Sequence, residues 1–100
     1  MTTYAFTVGN GEEVMSTLQA AVTAAGIRSA GITLIGAVQE CAVSVMRKSD
    51  ALDDLLREYD QPFELTGTGE VTDGKVHLHV TLYGEDVVVG GHLHLSLIHI

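Results

Sequence analysis

The spacing of apolar and polar residues changes along the chain, and each change predicts an element. Thr3 to Val8 alternates and carries β-favouring residues, which predicts a first strand. Asn10 then offers a helix cap, with Glu13 three positions later in a capping-box-like arrangement. From Glu12 onward Val14, Met15, Leu18, Ala21, Val22 and Ala25 recur at helical spacing, and Gly26 stands where a terminal glycine would close that helix. Ile27 to Val38 is a β-branched run with Gly31 and Gly36 inside it. Gly36 is expected to mark a bend or bulge before a second strand, Glu40 to Met46, in which Cys41, Val43 and Val45 alternate. Leu52, Leu55, Leu56 and Tyr59 fit one helical face, so Ser49 to Asp60 is expected to be a short helix, ended before Pro62. The remainder is β. Phe63 to Thr72 leads into the hairpin signal Asp73-Gly74. Lys75 to Tyr83 follows, then a turn at Gly84-Glu85-Asp86 and a last strand from Val87 to Leu97.

Length fits one domain: 100 residues with no linker, repeat or low-complexity tract. A chain of this size buries roughly 60–70% of its unfolded surface, so it can fold without disulfides. Cys41 is the only cysteine and no intrachain disulfide can form. A hydrophobic share of 46% is high for so small a monomer and tilts the expectation towards an oligomer. Met1 to Val8 has no positive charge and no long apolar core, so it reads as a strand and not as a signal peptide. No stretch approaches the roughly 20 apolar residues of a membrane helix, and a cytoplasmic location is expected. Thirteen acidic residues face five basic ones, Arg28, Arg47, Lys48, Arg57 and Lys75, for a formal charge of −8. Nucleic-acid binding draws on Lys and Arg to neutralise phosphates, so direct DNA binding by this chain alone is not expected.

The candidate chemistry lies in the histidines. His77 and His79 are two apart on a strand and leave the same face. The Gly84-Glu85-Asp86 turn folds the next strand back, which sets His92 opposite them. Three imidazoles that converge can hold a divalent metal, and three protein ligands with an open position is the arrangement of catalytic zinc. Zinc is the expected ion. The same pattern also suits a solvated or structurally hydrogen-bonded face. His94 shares the face of His92 and could serve as a fourth ligand, but it is expected to lie outside the ligand set. Glu85 after His77-x-His79 is a near miss for a cupin metal motif. Cys41 reads as core, Gly90-Gly91 as a bulge or close backbone approach, and Asp53, Asp54 and Glu58 as the solvated face of the short helix. No nucleophile elbow or phosphate-binding glycine loop is present.

Phe63-Glu64-Leu65-Thr66-Gly67-Thr68-Gly69, then His77-Leu78-His79-Val80, then Gly90-Gly91-His92-Leu93 resembles the plants and prokaryotes conserved (PPC) domain family. Gly11-Glu12-Glu13, Gly26-Ile27 and Ile35-Gly36-Ala37-Val38 agree with it. The resemblance runs from about Tyr4 to Leu93. It implies an α+β fold, with a strongly bent antiparallel sheet packed by helix and assembled as a homotrimer; the segments read above supply one main helix and a second short one. It also implies a metal at the histidines matching His77, His79 and His92. In plants such domains follow AT-hook motifs and mediate assembly and contacts with protein partners; free-standing prokaryotic members carry a DNA-binding label by association. This sequence has no AT-hook. Family members continue past the segment that ends here. Ser96-Leu97-Ile98-His99-Ile100 resembles a translated sequencing-adapter tail, so the last strands are expected to be missing after about residue 95. The functional expectation is a single trimerising domain over residues 1–100, with a histidine metal site and a regulatory or interaction role. The alternative is a small zinc enzyme that uses a metal-bound water, with Glu85 or Asp86 as general base.

Overall fold

The structure is a computed structural model that describes residues 1–98. His99 and Ile100, part of the tail singled out in the sequence, lie outside the described residues. One helix, α1 (Val14–Ala24), precedes six strands: β1 (Ser29–Val38), β2 (Glu40–Arg47), β3 (Asp50–Tyr59), β4 (Phe63–Thr72), β5 (Lys75–Tyr83) and β6 (Val88–Leu97). They form one antiparallel sheet in the order β1-β4-β5-β6-β2-β3.

The helix forms where the periodicity predicts it, but its cap is one of the residues expected inside it. Glu13, and not Asn10, is the N-cap. Its carboxylate accepts from the Met15 and Ser16 amides at 2.8 Å each and from the Ser96 amide of β6 at 3.0 Å. At the other end the Ile27 amide donates to the Val22 carbonyl and the Gly26 amide to Thr23, a Schellman closure with Gly26 at φ 69°. Gln19 ties the helix flank to the β4–β5 hairpin. Its side-chain amide donates to the Gly74 carbonyl at 2.8 Å and accepts from the Val76 amide at 3.0 Å. The hairpin turn has Asp73 at φ 51° and Gly74 at φ 78°, the paired left-handed geometry that matches strand twist.

One face of the sheet and the helix enclose the core. Val14 and Val22 meet Cys41, Val43, Phe63, Leu65, Leu78, Val80, Leu82 and Leu93, all buried. Alternation on β5 is strict: Val76, Leu78, Val80 and Leu82 are buried, while Lys75, His77, His79 and Tyr83 are exposed. Burial pushes the Cys41 thiol up to about 11, with the Glu13 charge adding to it, so this cysteine is core and not a nucleophile.

Three expectations fail. Asp50 to Tyr59 is a strand and not a helix. Its leucines match a helical period, but its backbone groups are satisfied by the ladder with β2, from Cys41↔Tyr59 to Arg47↔Asp50, closed by the two-residue turn Lys48-Ser49. Leu52 stays 96% exposed, so the apolar pattern there did not serve this chain's own core. Thr3 to Val8 joins no sheet among the described residues, because no strand lies beside it. Gly36 makes no break either: it pairs with Leu65 in an unbroken ladder, and β1 ends at Val38.

Ser96 exposes a misfit. It lies on the core face, 0% exposed, and its hydroxyl has no hydrogen-bond partner among the described residues. An unpaired buried hydroxyl costs about 1–3 kcal/mol. Ser96→Ala is therefore expected to raise the unfolding free energy by about 1 kcal/mol in a urea titration, whereas an ordinary core truncation would lower it.

Candidate metal centre

The face of the sheet turned away from α1 carries the histidines. Cross-strand partners share a face, and one row runs from Leu56 (β3) through Ser44 (β2), His92 (β6) and His79 (β5) to Thr68 (β4). His79 and His92 are directly opposite, with ring centres 5.4 Å apart; His77 lies 6.2 Å from His92. The sequence placed these three residues together, and the structure does bring them to one patch.

His94 is nearer than expected. Its ring is 5.1 Å from that of His92, and its Nε2 is 2.8 Å from the buried Ser44 Oγ. A register shift explains its place. Leu93 pairs with Val43 but Leu95 pairs with Ala42, which leaves His94 as an extra residue on β6. The bulge keeps His92 and His94 on the outer face and turns Ser96 back to the core. Periodicity could place His94 on the right face but could not reveal the Ser44 partner, which depends on the β2–β6 register.

Backbone proximity makes this patch possible. A Cβ on Gly69 would collide with the His77 carbonyl, and one on Gly67 would stand 2.7 Å from that of His79. Bare glycines thus let β4 lie against the histidine strand. Gly91 does the same for β6, where a Cβ would be 2.5 Å from the Ser44 carbonyl; Gly90-Gly91 is a close approach, as read from the sequence.

His92 titrates below its ordinary value. Burial is the main cause, followed by the charges of His94, His79 and His77, with Asp54 acting in the opposite sense. Asp54 belongs to β3, opposite Met46, and not to the solvated face of a helix. Glu85 and Asp86 lie elsewhere. They occupy the β5–β6 turn beside Gln61, Phe63 and Tyr83. Tyr83, where β5 ends, is already about 13 Å from His79 at a rise of about 3.3 Å per residue. Neither carboxylate stands where a general base for a histidine-bound water would have to be.

Among the described residues no group of three His, Cys, Asp or Glu side chains stands in the arrangement of a formed metal site. The ring separations can still be set against the spacing a shared ion imposes. Two imidazoles sharing a tetrahedral zinc at about 2.0–2.1 Å have ring centres about 5 Å apart. The separations of 5.4 and 6.2 Å fall within side-chain rotation of that value.

A one-helix α+β domain with a histidine patch on its open sheet face is the class these features define. The chain belongs to the Plants and Prokaryotes Conserved (PCC) domain family, whose family model matches residues 1–99. Solved structures share the fold. A plant- and prokaryote-conserved protein from Pyrococcus horikoshii is 26% identical with a TM-score of 0.81, covering 99% of this chain and 78% of that one. A metal-containing protein from Archaeoglobus fulgidus is 24% identical with a TM-score of 0.80, covering 98% of this chain and 79% of the other. A protein from Bacteroides thetaiotaomicron, provisionally described as DNA-binding, is 26% identical with a TM-score of 0.79, covering 91% and 67%. Among curated proteins no match is found. No helix is long and apolar enough to cross a membrane among the described residues.

Gly69→Ala should test the close approach of β4. The added methyl forces a backbone shift under His77, so a loss of about 1–3 kcal/mol is expected in a urea titration. Gly31→Ala, where a Cβ would meet nothing, should cost less than that.

Proposed function

We propose that this is a non-catalytic, metal-binding assembly domain, in which His77, His79 and His92 of each protomer hold one divalent ion, zinc above others. The observation that carries the reading is the direct opposition of His79 and His92 at 5.4 Å, with His77 next to them on the same face. Three neutral imidazoles suit zinc or another borderline transition metal and do not suit calcium or magnesium, which take oxygen. The Archaeoglobus fulgidus protein is described as metal-containing. At 24% identity that likeness speaks for the fold, so the reading rests on the histidine geometry.

The same face supports assembly. Ile35, Met46, Leu56, Tyr83, Val88 and Leu95 are all exposed on the side of the sheet that α1 does not cover. Apolar residues spread over one open face favour burial against further copies. A homotrimer is the assembly the family resemblance implies. The role is regulatory or interactive, through protein partners. With a formal charge of −8, DNA contact by this chain itself is disfavoured.

Ligation requires neutral imidazole, so metal affinity should fall as pH drops below the ordinary histidine value of about 6.5. His92 is held below that value, chiefly by burial. Its sign for stability is the same. The folded chain binds fewer protons than the unfolded one, so this contribution is complete above about pH 6.5. It is lost as pH falls through the folded value. His79→Ala should remove stoichiometric metal from dialysed protein, a loss beyond the roughly 10–100-fold that an outer hydrogen-bond partner is worth. His94→Ala should lose less. Equal zinc by elemental analysis in wild type and His79→Ala would refute the site.

Light scattering at micromolar concentration is expected to give three times the protomer mass. A duplex titrated by fluorescence anisotropy at physiological salt should show no saturable binding; submicromolar affinity would instead require a basic surface formed across subunits.

A further inference from the structure

Each of the three histidines has a polar residue beside it on its own row of the sheet. His77 stands directly opposite Glu70 and His79 directly opposite Thr68, both on β4, and His92 stands opposite Ser44 on β2. Such partners share a face, with Cβ atoms about 4.5–5.5 Å apart. Strand order then fixes a sequence of groups. β5 lies between β4 and β6, so His77 has Glu70 on one side and His92 on the other, with the His92 ring centre 6.2 Å away. An imidazole has two nitrogens, and a ring that gives one to a metal turns the other away from it. Glu70 stands on that far side.

The three partners are not equivalent. The Ser44 hydroxyl lies 2.8 Å from His94 Nε2 and serves that ring. Thr68 is neutral. Glu70 alone of the three carries charge, and an ionised acceptor makes a hydrogen bond roughly twice as strong as a neutral one. Its surroundings leave it to His77. The residue opposite it on β1 is Gly31, so that strand brings no side chain to compete. Lys75, diagonal to it on β5, makes no ion pair with it among the described residues, where the pair that forms is Arg47–Asp53. Gly69, immediately before it, has no Cβ, which lets β4 lie against the His77 carbonyl.

We infer, on the metal reading proposed above, that Glu70 is a positioning residue for the ligand His77. Its carboxylate accepts the N–H of the ring nitrogen that faces away from the ion. That bond fixes the tautomer and the orientation of the ring, and an anionic acceptor makes the ligating nitrogen more basic. Glu70 does not itself touch the metal. It lies on the β4 side of His77, whereas His92 completes the ligand set from β6.

Zinc affinity, measured by competition with a chromophoric chelator, tests this role. Glu70→Ala should bind zinc roughly 10–100-fold more weakly than wild type. Glu70→Gln, whose amide oxygen accepts without a charge, should fall between the two. Glu64→Gln is the control. It removes the same charge from the same face of β4 but lies about 20 Å along the strand at about 3.3 Å per residue, beyond a screening length of roughly 10 Å at 0.1 M salt, so affinity should not change. Long-range proton–nitrogen NMR spectra of the zinc-loaded chain separate positioning from a general effect on folding. The His77 ring N–H should be visible in wild type and lost to solvent exchange in Glu70→Ala, with the ring signals of His79 and His92 unmoved. Affinity in Glu70→Ala equal to that in Glu64→Gln, or a His77 ring N–H that persists without the carboxylate, would overturn the inference and leave the three-histidine site standing. Complete loss of zinc from Glu70→Ala would make Glu70 a ligand and overturn the positioning role. A wild-type chain that takes up no zinc would overturn both the site and the role.

Discussion

The Glu13 carboxylate holds the two layers of this protein together. It accepts amide hydrogens from the first turn of α1 and from Ser96 in β6, so one side chain caps the helix and fastens it to a central strand. The Gly11, Glu12 and Ile98 backbone bonds add a short bridge beside it. Gln19 fastens the helix flank to the β4–β5 hairpin in the same way. With α1 pinned at both places, one face of the sheet becomes the core and the other is left open. The histidines stand on the open face because β5 alternates and its apolar residues are claimed by the helix side.

Local signals were legible wherever the chain satisfies itself locally. The Schellman glycine, the Asp73-Gly74 turn and the strict alternation of β5 each state their geometry within a few residues. Legibility fails where the satisfying partner is distant. In β3 the positions of Leu52, Leu55, Leu56 and Tyr59 describe a helix as well as a strand, and only the open edge of β2 decides between them. Thr3 to Val8 fails in the opposite direction. Its alternation is sound, but a strand is defined by a neighbour, and none stands beside it among the described residues.

The site follows the same division. That His77 and His79 share a face, and that His92 returns opposite them, follows from period two and one short turn. The bulge at His94 and its bond to Ser44 do not, because they depend on how β6 slides along β2, a strand about fifty residues earlier. The carboxylates show the cost of reasoning from sequence distance. Glu85 is close to His79 along the chain and remote in space, whereas the charge of Asp54 reaches His92 across two strand pairings.

Strand order gives β6 a temporal role as well as a spatial one. β1, β4 and β5 form one ribbon and β2 and β3 another, and among the described residues the strand that borders both is β6. Until β6 threads between β5 and β2, the two ribbons share no ladder, Glu13 has no Ser96 amide to hold, and His79 has no His92 opposite it. Pairing this central strand closes long loops, a step that is intrinsically slow because chain entropy is lost before contacts repay it. The histidine pair would therefore come into being only once the two ribbons are joined. A metal ion that binds it would meet only chains whose sheet is already joined, and would lock in the completed fold in preference to any partial one.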